Sequence, residues 1–428
     1  MEEMEEIYFR MHVQLVQWIQ GVVSAKNRER FEQLLFVLAT HLLILSCLLH
    51  LSFVSPHGHG DCLGPYLEAV PVSTPVDEQF RLLRIQVTPA DTEWALVTGD
   101  GGAVNDTTPS QFYRNPSTSF VYAPQSGLLS LLEHADELQR EFQMDTLYIP
   151  SSSHCFELKW IGPSPLWTRL RDHVLGYDTI LMNQLVNHFG ARGNFYHEST
   201  KSTIDLTYGV FNPDEAAKSL VKFVALKFKI IHTILFLFFI ITALVAFVLM
   251  ETQKRMITFT ALFQNRSQLQ IPFMNLLLAY FAQSLMFVPV LVRFARADCH
   301  YALASSLIRV RWWMYQVGML FFLFELYNDH LLAFAVTTIM WVGESFSVIS
   351  VRCRLSQVYF PPLFFCLFTF FHLYLFSFPF GFSYVALWTM SVLLAQLMLF
   401  FWNCFEIPAL DRGEISGMCP REPFLLSF

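Results

Sequence analysis

Two carboxylates embedded in apolar sequence are the first place this chain could do chemistry. Glu325 lies in Phe324-Glu325-Leu326-Tyr327-Asn328-Asp329, and Glu344 lies in Trp341-Val342-Gly343-Glu344-Ser345-Phe346. A charge at mid-membrane costs about 2.5–3.5 kcal/mol on insertion scales, so such a group points to a function or a partner. Glu325, Asn328, Asp329 and Glu344 are therefore the intramembrane polar candidates. They would line a polar cavity for a substrate helix or a proton, or brace the helices by hydrogen bonds, which is the commoner use. A hairpin turning at 328–330 sets Glu344 some three turns deeper than Glu325, which argues against direct contact. His41, His50, His232 and His372 are candidate partners within apolar stretches.

Other chemical signatures are sparse. The sequence contains no HExxH, no GxxxxGK[ST], no GxSxG and no zinc-spaced Cys/His cluster, so no cofactor or metal is expected. Tyr177-Asp178, Gly58-His59-Gly60-Asp61 and Pro408-Ala409-Leu410 resemble the motifs of intramembrane aspartyl proteases. That reaction needs two carboxylates sharing a proton on facing membrane helices. Asp61 and Asp178 fall in polar sequence and in reversed order, which argues against the protease. Cys62 and Cys155 would form a disulfide in an oxidising compartment, or stand as two unrelated buried thiols. Asn105-Asp106-Thr107 is a glycosylation sequon in a Gly-rich polar stretch.

These residues sit in a chain of 428 residues that is 54% apolar and only 15% charged, with 44 phenylalanines. A soluble domain is nearer 25% charged, and the mean hydropathy here is +0.41. The class is an integral membrane protein. A net charge of −7 and the lack of a long basic tract argue against nucleic acid as a partner.

Apolar runs of about 20 residues read as membrane helices. Candidates are Leu34–Val54, Ile230–Met250, Pro272–Val292, Trp312–Tyr327, Leu331–Val351, Pro361–Phe380 and Tyr384–Phe405. Leu34–Val54 follows 33 polar or amphipathic residues without a cleavage site, so it reads as a retained signal anchor. Arg10, Lys26, Arg28 and Arg30 place the N-terminus in the cytosol by the positive-inside rule. Arg293, Arg296, Arg309 and Arg311 stay cytosolic only if 272–292 dips in and returns. Asn275, Gln283, Ser284 and Pro289 suit such a broken segment, so six spans plus a re-entrant segment are preferred to seven spans. Lys218, Lys222, Lys227 and Lys229 on the luminal flank of the second span argue weakly against this orientation.

The expected organisation is a cytosolic amphipathic segment 1–33, a first transmembrane helix 34–54 and a luminal domain 55–217. A second transmembrane helix with its luminal flank follows at 218–250, then a cytosolic loop 251–311 holding the re-entrant or extra segment. Four spans in two hairpins occupy 312–405, and a short cytosolic tail occupies 406–428. Residues 55–217 hold 20 acidic against 9 basic residues. Runs such as Arg81–Val87, Trp94–Val97 and Thr203–Phe211 alternate like strands, whereas Leu128–Phe142 and Leu166–Phe189 repeat at helical spacing. The fold class is thus a polytopic α-helical membrane protein with a mainly β luminal domain between spans one and two.

An ordered set of short motifs is similar to the membralin family. It runs through Ser55-Pro56, Cys62-Leu63, Leu83–Val87, Cys155-Phe156 and Leu175-Gly176-Tyr177-Asp178-Thr179-Ile180-Leu181-Met182. It continues through Glu325–Asp329, Trp341–Glu344, Phe380-Gly381-Phe382-Ser383 and Glu406-Ile407-Pro408-Ala409-Leu410. Gly176, Tyr177 and Asp178 form the most specific match; Glu406 and Pro408 carry the C-terminal one. The resemblance implies a multi-pass glycoprotein of the endoplasmic reticulum, with both termini cytosolic. It implies a non-catalytic adaptor of endoplasmic-reticulum-associated degradation that presents membrane-protein clients to a RING-type ubiquitin ligase. A membrane protein with a ubiquitin-like domain would stand beside it. The chain lacks the long Pro/Gly/Ala-rich tail of animal members, and 271–311 reads as an insertion. The alternative is a transporter or channel using the intramembrane carboxylates, with the protease a distant third.

Overall fold

The computed structural model describes residues 2–55, 63, 82–89, 95–97, 118–123, 144–159, 164–189, 193–198, 200–206, 224–225, 227–243, 245–246, 326–327 and 329–415. It divides into two units, one made of Phe36–Ile230 with Phe370–Val392, the other of Met1–Leu35, Ile231–Thr369 and Leu393–Phe428.

The chain opens with α1 (Glu2–Val22) and α2 (Ala25–Leu49), the latter ending in a π-helical turn, His50–Val54. Among the described residues, four helices are long and apolar enough to cross a membrane: Ala25–Val54, His330–Ser350, Arg354–Ser377 and Ser383–Asp411. Phe36, Val37, Leu43 and Ile44 on the first are exposed, as a lipid-facing surface requires. Residues 227–243 are also helical. The protein is therefore a multi-pass α-helical membrane protein carrying a small sheet. The segment 272–292 and nearly all of 312–327 lie outside the described residues.

Among the described residues, six strands form the sheet: β1 (Leu82–Thr88), β2 (Ala95–Val97), β3 (Thr118–Ala123), β4 (Met144–Pro150), β5 (Asn194–His197) and β6 (Ser202–Asp205). Their order is β2-β4-β1-β3-β5-β6, with β1 and β4 parallel and every other pair antiparallel. The pleat sends alternate residues to one face, so Ile85, Val87, Phe120, Leu147, Ile149 and Phe195 enter one core. Arg84 of β1 instead pairs with Glu198 at 2.8 Å, and Ser119 donates to the same carboxylate.

Two helices cover this core, α3 (Pro165–Leu170, continued by the π turn Arg171–Leu175) and α4 (Asp178–Phe189). The periodicity over Leu166–Phe189 had suggested one helical stretch. Gly176 breaks it, at φ +75, a backbone state open to glycine and strained for residues with a Cβ. The first strand sits one residue later than the alternating run suggested, and the strand expected over Thr203–Phe211 is Ser202–Asp205 among the described residues. Leu128–Phe142 lies outside them.

In the other unit, α5 (His330–Ser350) begins at Asp329, whose side chain accepts from Leu331 N at 2.8 Å. The next helix, α6, spans Arg354–Ser377 and holds Pro361 and Pro362 inside it, so it begins seven residues before the candidate span Pro361–Phe380. Proline favours a first turn, but here the start is set at residues 352–353, where a distant carboxylate accepts the free N–H groups. The last helix, α7 (Ser383–Phe401), continues through a π turn, Trp402–Glu406, into α8 (Ile407–Asp411). It thus runs past Phe405, the expected end.

Gly343 of α5 faces α6: a Cβ there would lie 2.6 Å from the Phe364 ring, and Phe364 is buried. An alanine normally gains about 1 kcal/mol over glycine inside a helix, whereas overpacking a fixed ring costs about 1–3 kcal/mol. The clash should win. Gly343→Ala is expected to lower the thermal midpoint of the detergent-purified protein; a higher midpoint would show that the helices separate freely.

Candidate functional site

Among the described residues, the most densely bonded polar cluster lies where the sheet unit meets the ends of its own membrane helices. Arg171, at 2% exposure, is the hub. Its Nη1 donates to the carbonyls of Ser151 at 2.9 Å and Phe156 at 3.3 Å, and its Nε to Asp172 Oδ1 at 2.9 Å. The Tyr177 hydroxyl donates to the same Asp172 oxygen at 2.5 Å, and the guanidinium lies 5.1 Å from the Tyr177 ring centroid. Burial, and then the bond to Asp172, hold the Tyr177 hydroxyl well above its ordinary pKa, so it remains a donor. Trp167 Nε1 adds a bond to the Phe156 carbonyl at 2.9 Å.

Gly176-Tyr177-Asp178 is the corner that makes this possible. Gly176 turns the chain out of α3, and its N–H closes on Arg171 O at 2.9 Å. A Cβ on Gly176 would stand 2.9 Å from Asp178 Oδ1, the atom that accepts from Thr179 N at 2.8 Å. One turn on, the Asn183 amide donates to Thr179 O at 2.8 Å and across to Phe380 O at 2.5 Å. Phe380 lies in the turn between α6 and α7, so α4 is bonded to the link between two membrane helices.

Apolar contacts follow the same path. Phe53, in the last turn of α2, stacks on Trp167 at 5.9 Å and meets Phe382 at 6.2 Å. His50 packs edge-on against Phe378 at 4.5 Å and Tyr374 at 5.6 Å. Leu49, Phe53, Leu63, Ile85, Cys155, Phe156, Tyr177, Phe380 and Phe382 belong to one continuous buried core. Five of the family-like motifs, spread from Leu63 to Phe382 along the chain, converge there. Cys155 is disulfide-bonded, while Cys47, Cys353, Cys366 and Cys404 are free thiols. Its partner lies outside the described residues, as do Cys62, Asn105, Glu325 and Asn328.

A second polar centre lies in the other unit. Glu406 is fully buried, and its carboxylate accepts from Arg352 N at 3.0 Å and from Cys353 N at 3.1 and 3.2 Å. It thereby caps α6, a placement favoured by the positive end of the helix dipole. Arg352 stands 5.9 Å over the Phe9 ring of α1. Helix α1 packs on α5 with Tyr8, His12 and Val16 buried. Pro408 sits in the first turn of α8, where proline is tolerated. Glu344 lies half-buried on α5. The structure thus gives Asp329 and Glu406 capping roles.

His12 leads to a pH prediction. Its ring is buried and, among the described residues, neither nitrogen has a hydrogen-bond partner. Desolvation first, then the Arg352 charge, lowers its pKa from 6.5 to about 4. A histidine that binds protons less readily when folded contributes full stability above pH 6.5 and loses it as the pH falls toward 4. The loss is about 3 kcal/mol at most, from 1.36 kcal/mol per unit. Proteolysis within α1 should rise on acidification across that window, and His12→Leu should flatten the rise. Equal cleavage at pH 7 and pH 4.5 would contradict this.

Arg171, Trp167, Asn183 and Phe53 were missed in the sequence. Arg171 had one available signal, a lone cation on the buried stripe of an amphipathic helix. Nothing local marks Asn183, because its second acceptor is 197 residues away. Asp178 serves a helix start outside any candidate membrane helix, and among the described residues no three His, Cys, Asp or Glu side chains are grouped to hold a metal.

No family model matches the sequence, and no solved structure matches it. A membralin-like protein of Arabidopsis thaliana is 35% identical over 294 residues, which is 69% of this chain and 42% of that protein. The match thus spans less than half the length of its relative. Across the matched residues, the chain belongs to the membralin family.

Proposed function

We propose that the protein is a non-catalytic membrane adaptor of endoplasmic-reticulum-associated degradation. It would present membrane-protein clients to a RING-type ubiquitin ligase, with a ubiquitin-like-domain membrane protein alongside. The observation that carries this reading is the shared core between the sheet and the ends of α2, α6 and α7. A binding event on the sheet is mechanically continuous with membrane helices through Arg171, Tyr177 and the Asn183–Phe380 bond. That is what a receptor for clients requires, and the membralin relationship supplies the process.

The disulfide at Cys155 supports placing the sheet in an oxidising compartment, hence a luminal domain over 55–217 with cytosolic termini. Cys62 is the proposed partner, since its neighbour Leu63 is buried in the same core as Cys155. Asn105 is the proposed glycan site. Six spans with a re-entrant 272–292 complete the proposed topology. Asn328 and Asp329 would end the hairpin, and Glu325 and Glu344 would contact polar client helices or brace the bundle.

Affinity purification of the tagged full chain from mildly solubilised membranes is expected to return a RING-type ligase and a ubiquitin-like-domain protein. Recovery of neither would overturn the adaptor reading. The half-buried Glu344 keeps a transport reading testable: solute flux in proteoliposomes, abolished by Glu344→Gln, would favour it.

A further inference from the structure

The outer face of α3 and its π turn carries an apolar and basic pattern that neither the core nor the adaptor reading uses. Leu166 is 77% exposed and Val174 70% exposed. Arg169 and His173, also exposed, stand between them. Positions 166, 169, 173 and 174 follow the i, i+3, i+7, i+8 spacing of a single helical face. The opposite face, Trp167 and Arg171, is buried in the joint. A leucine and a valine left this open in water forfeit about 1.5–3 kcal/mol each relative to burial.

The height of this helix identifies what covers it. Leu34 to Phe53 spans about 29 Å at 1.5 Å per residue, close to the roughly 30 Å hydrocarbon core of a bilayer. With Leu34 at one boundary, Phe53 lies at the other. Trp167 stacks on Phe53, and Phe382, at the start of α7, meets Phe53 as well. Two membrane helices therefore end at the level where α3 lies. Tryptophan is enriched at that depth, and arginine reaches from it to phosphate oxygens.

We propose that α3 with its π turn seats the sheet unit on the bilayer, immersing Leu166 and Val174 at the headgroup–acyl boundary while Arg169 and His173 meet lipid phosphates. This rests on α2 spanning the membrane and not on the adaptor reading. The seat fixes the tilt of the sheet relative to the membrane, because the same helix carries Arg171 on its inner face.

Photocrosslinking of the full chain in native membranes tests it. Benzoylphenylalanine would replace Leu166, Val174, Phe36 and Thr203 in turn, with alkyne-tagged phosphatidylcholine present. Phe36, exposed on α2, reports lipid contact of the span, and Thr203, exposed on β6, reports the aqueous surface. Lipid adducts at 166 and 174 matching the yield at 36, and lost at 203, are expected. Adducts at 36 without adducts at 166 and 174 would overturn the proposal while leaving the span intact. Protein adducts at 166 and 174 would also overturn it, marking a protein interface instead. A Leu166→Ser, Val174→Ser double variant should increase protease cleavage within 164–176 in vesicles opened so that protease reaches both faces of the membrane; unchanged cleavage would count against the seat.

Discussion

Glu406→Ala is expected to destabilise the protein by about 3–4 kcal/mol, among the largest single-residue effects here. The carboxylate is fully buried and accepts from two backbone N–H groups at the start of α6. Each orphaned buried donor costs about 1–3 kcal/mol, and Glu406 is closed to solvent. The pattern also predicts which substitution rescues. One oxygen, Oε1, accepts from both Arg352 N and Cys353 N, so the amide oxygen of Glu406→Gln can stand in its place. That variant should recover most of the loss, leaving about 1 kcal/mol from the weaker interaction with the helix dipole. Thermal midpoints in one detergent would rank wild type, Gln and Ala in that order. If Ala and Gln were equal, the capping assignment would fail.

Loss of the disulfide at Cys155 is the other large effect. Removing a native disulfide costs about 2–5 kcal/mol, mostly by freeing the unfolded chain. Cys155 is buried beside Phe156 in the core that joins the sheet to the membrane helices. Cys155→Ser should therefore loosen the joint as well as lower the midpoint, and wild type under reductant should fall to the level of the variant. With Cys62 as partner, Cys62→Ser should give the same midpoint and the same shift in non-reducing electrophoretic mobility. The double variant should be no worse than either single one, because partners in one bond are not additive. A normal mobility for Cys62→Ser would move the pairing to Cys299 or Cys419, the other cysteines outside the described residues.

The intramembrane carboxylates show how a sound premise can point to a different job. Asp329 was singled out as a polar group near an apolar hairpin. In the structure it accepts from Leu331 N and starts α5, a local use available to any Asp before a helix. Glu406 was noted only as part of a C-terminal motif, yet it is the fully buried one. The difference is distance along the chain: Glu406 acts on residues 53 and 54 positions earlier. The candidate span Pro361–Phe380 began too late for the same reason. Pro361 and Pro362 signal a helix start locally, but the start is held by that remote carboxylate at residues 352–353.

What the chain alone determined is everything that depends on neighbours in sequence. Apolar runs long enough for a bilayer, the alternation of β1 and the motifs shared with the membralin family are all local quantities. Only the tertiary structure decided that Leu63, Cys155, Tyr177 and Phe380 occupy one core, that Arg171 is its polar hub, and that Asn183 reaches the turn between α6 and α7. Burial and long-range hydrogen bonds depend on which surfaces meet, and side-chain type and spacing do not encode a partner hundreds of residues away.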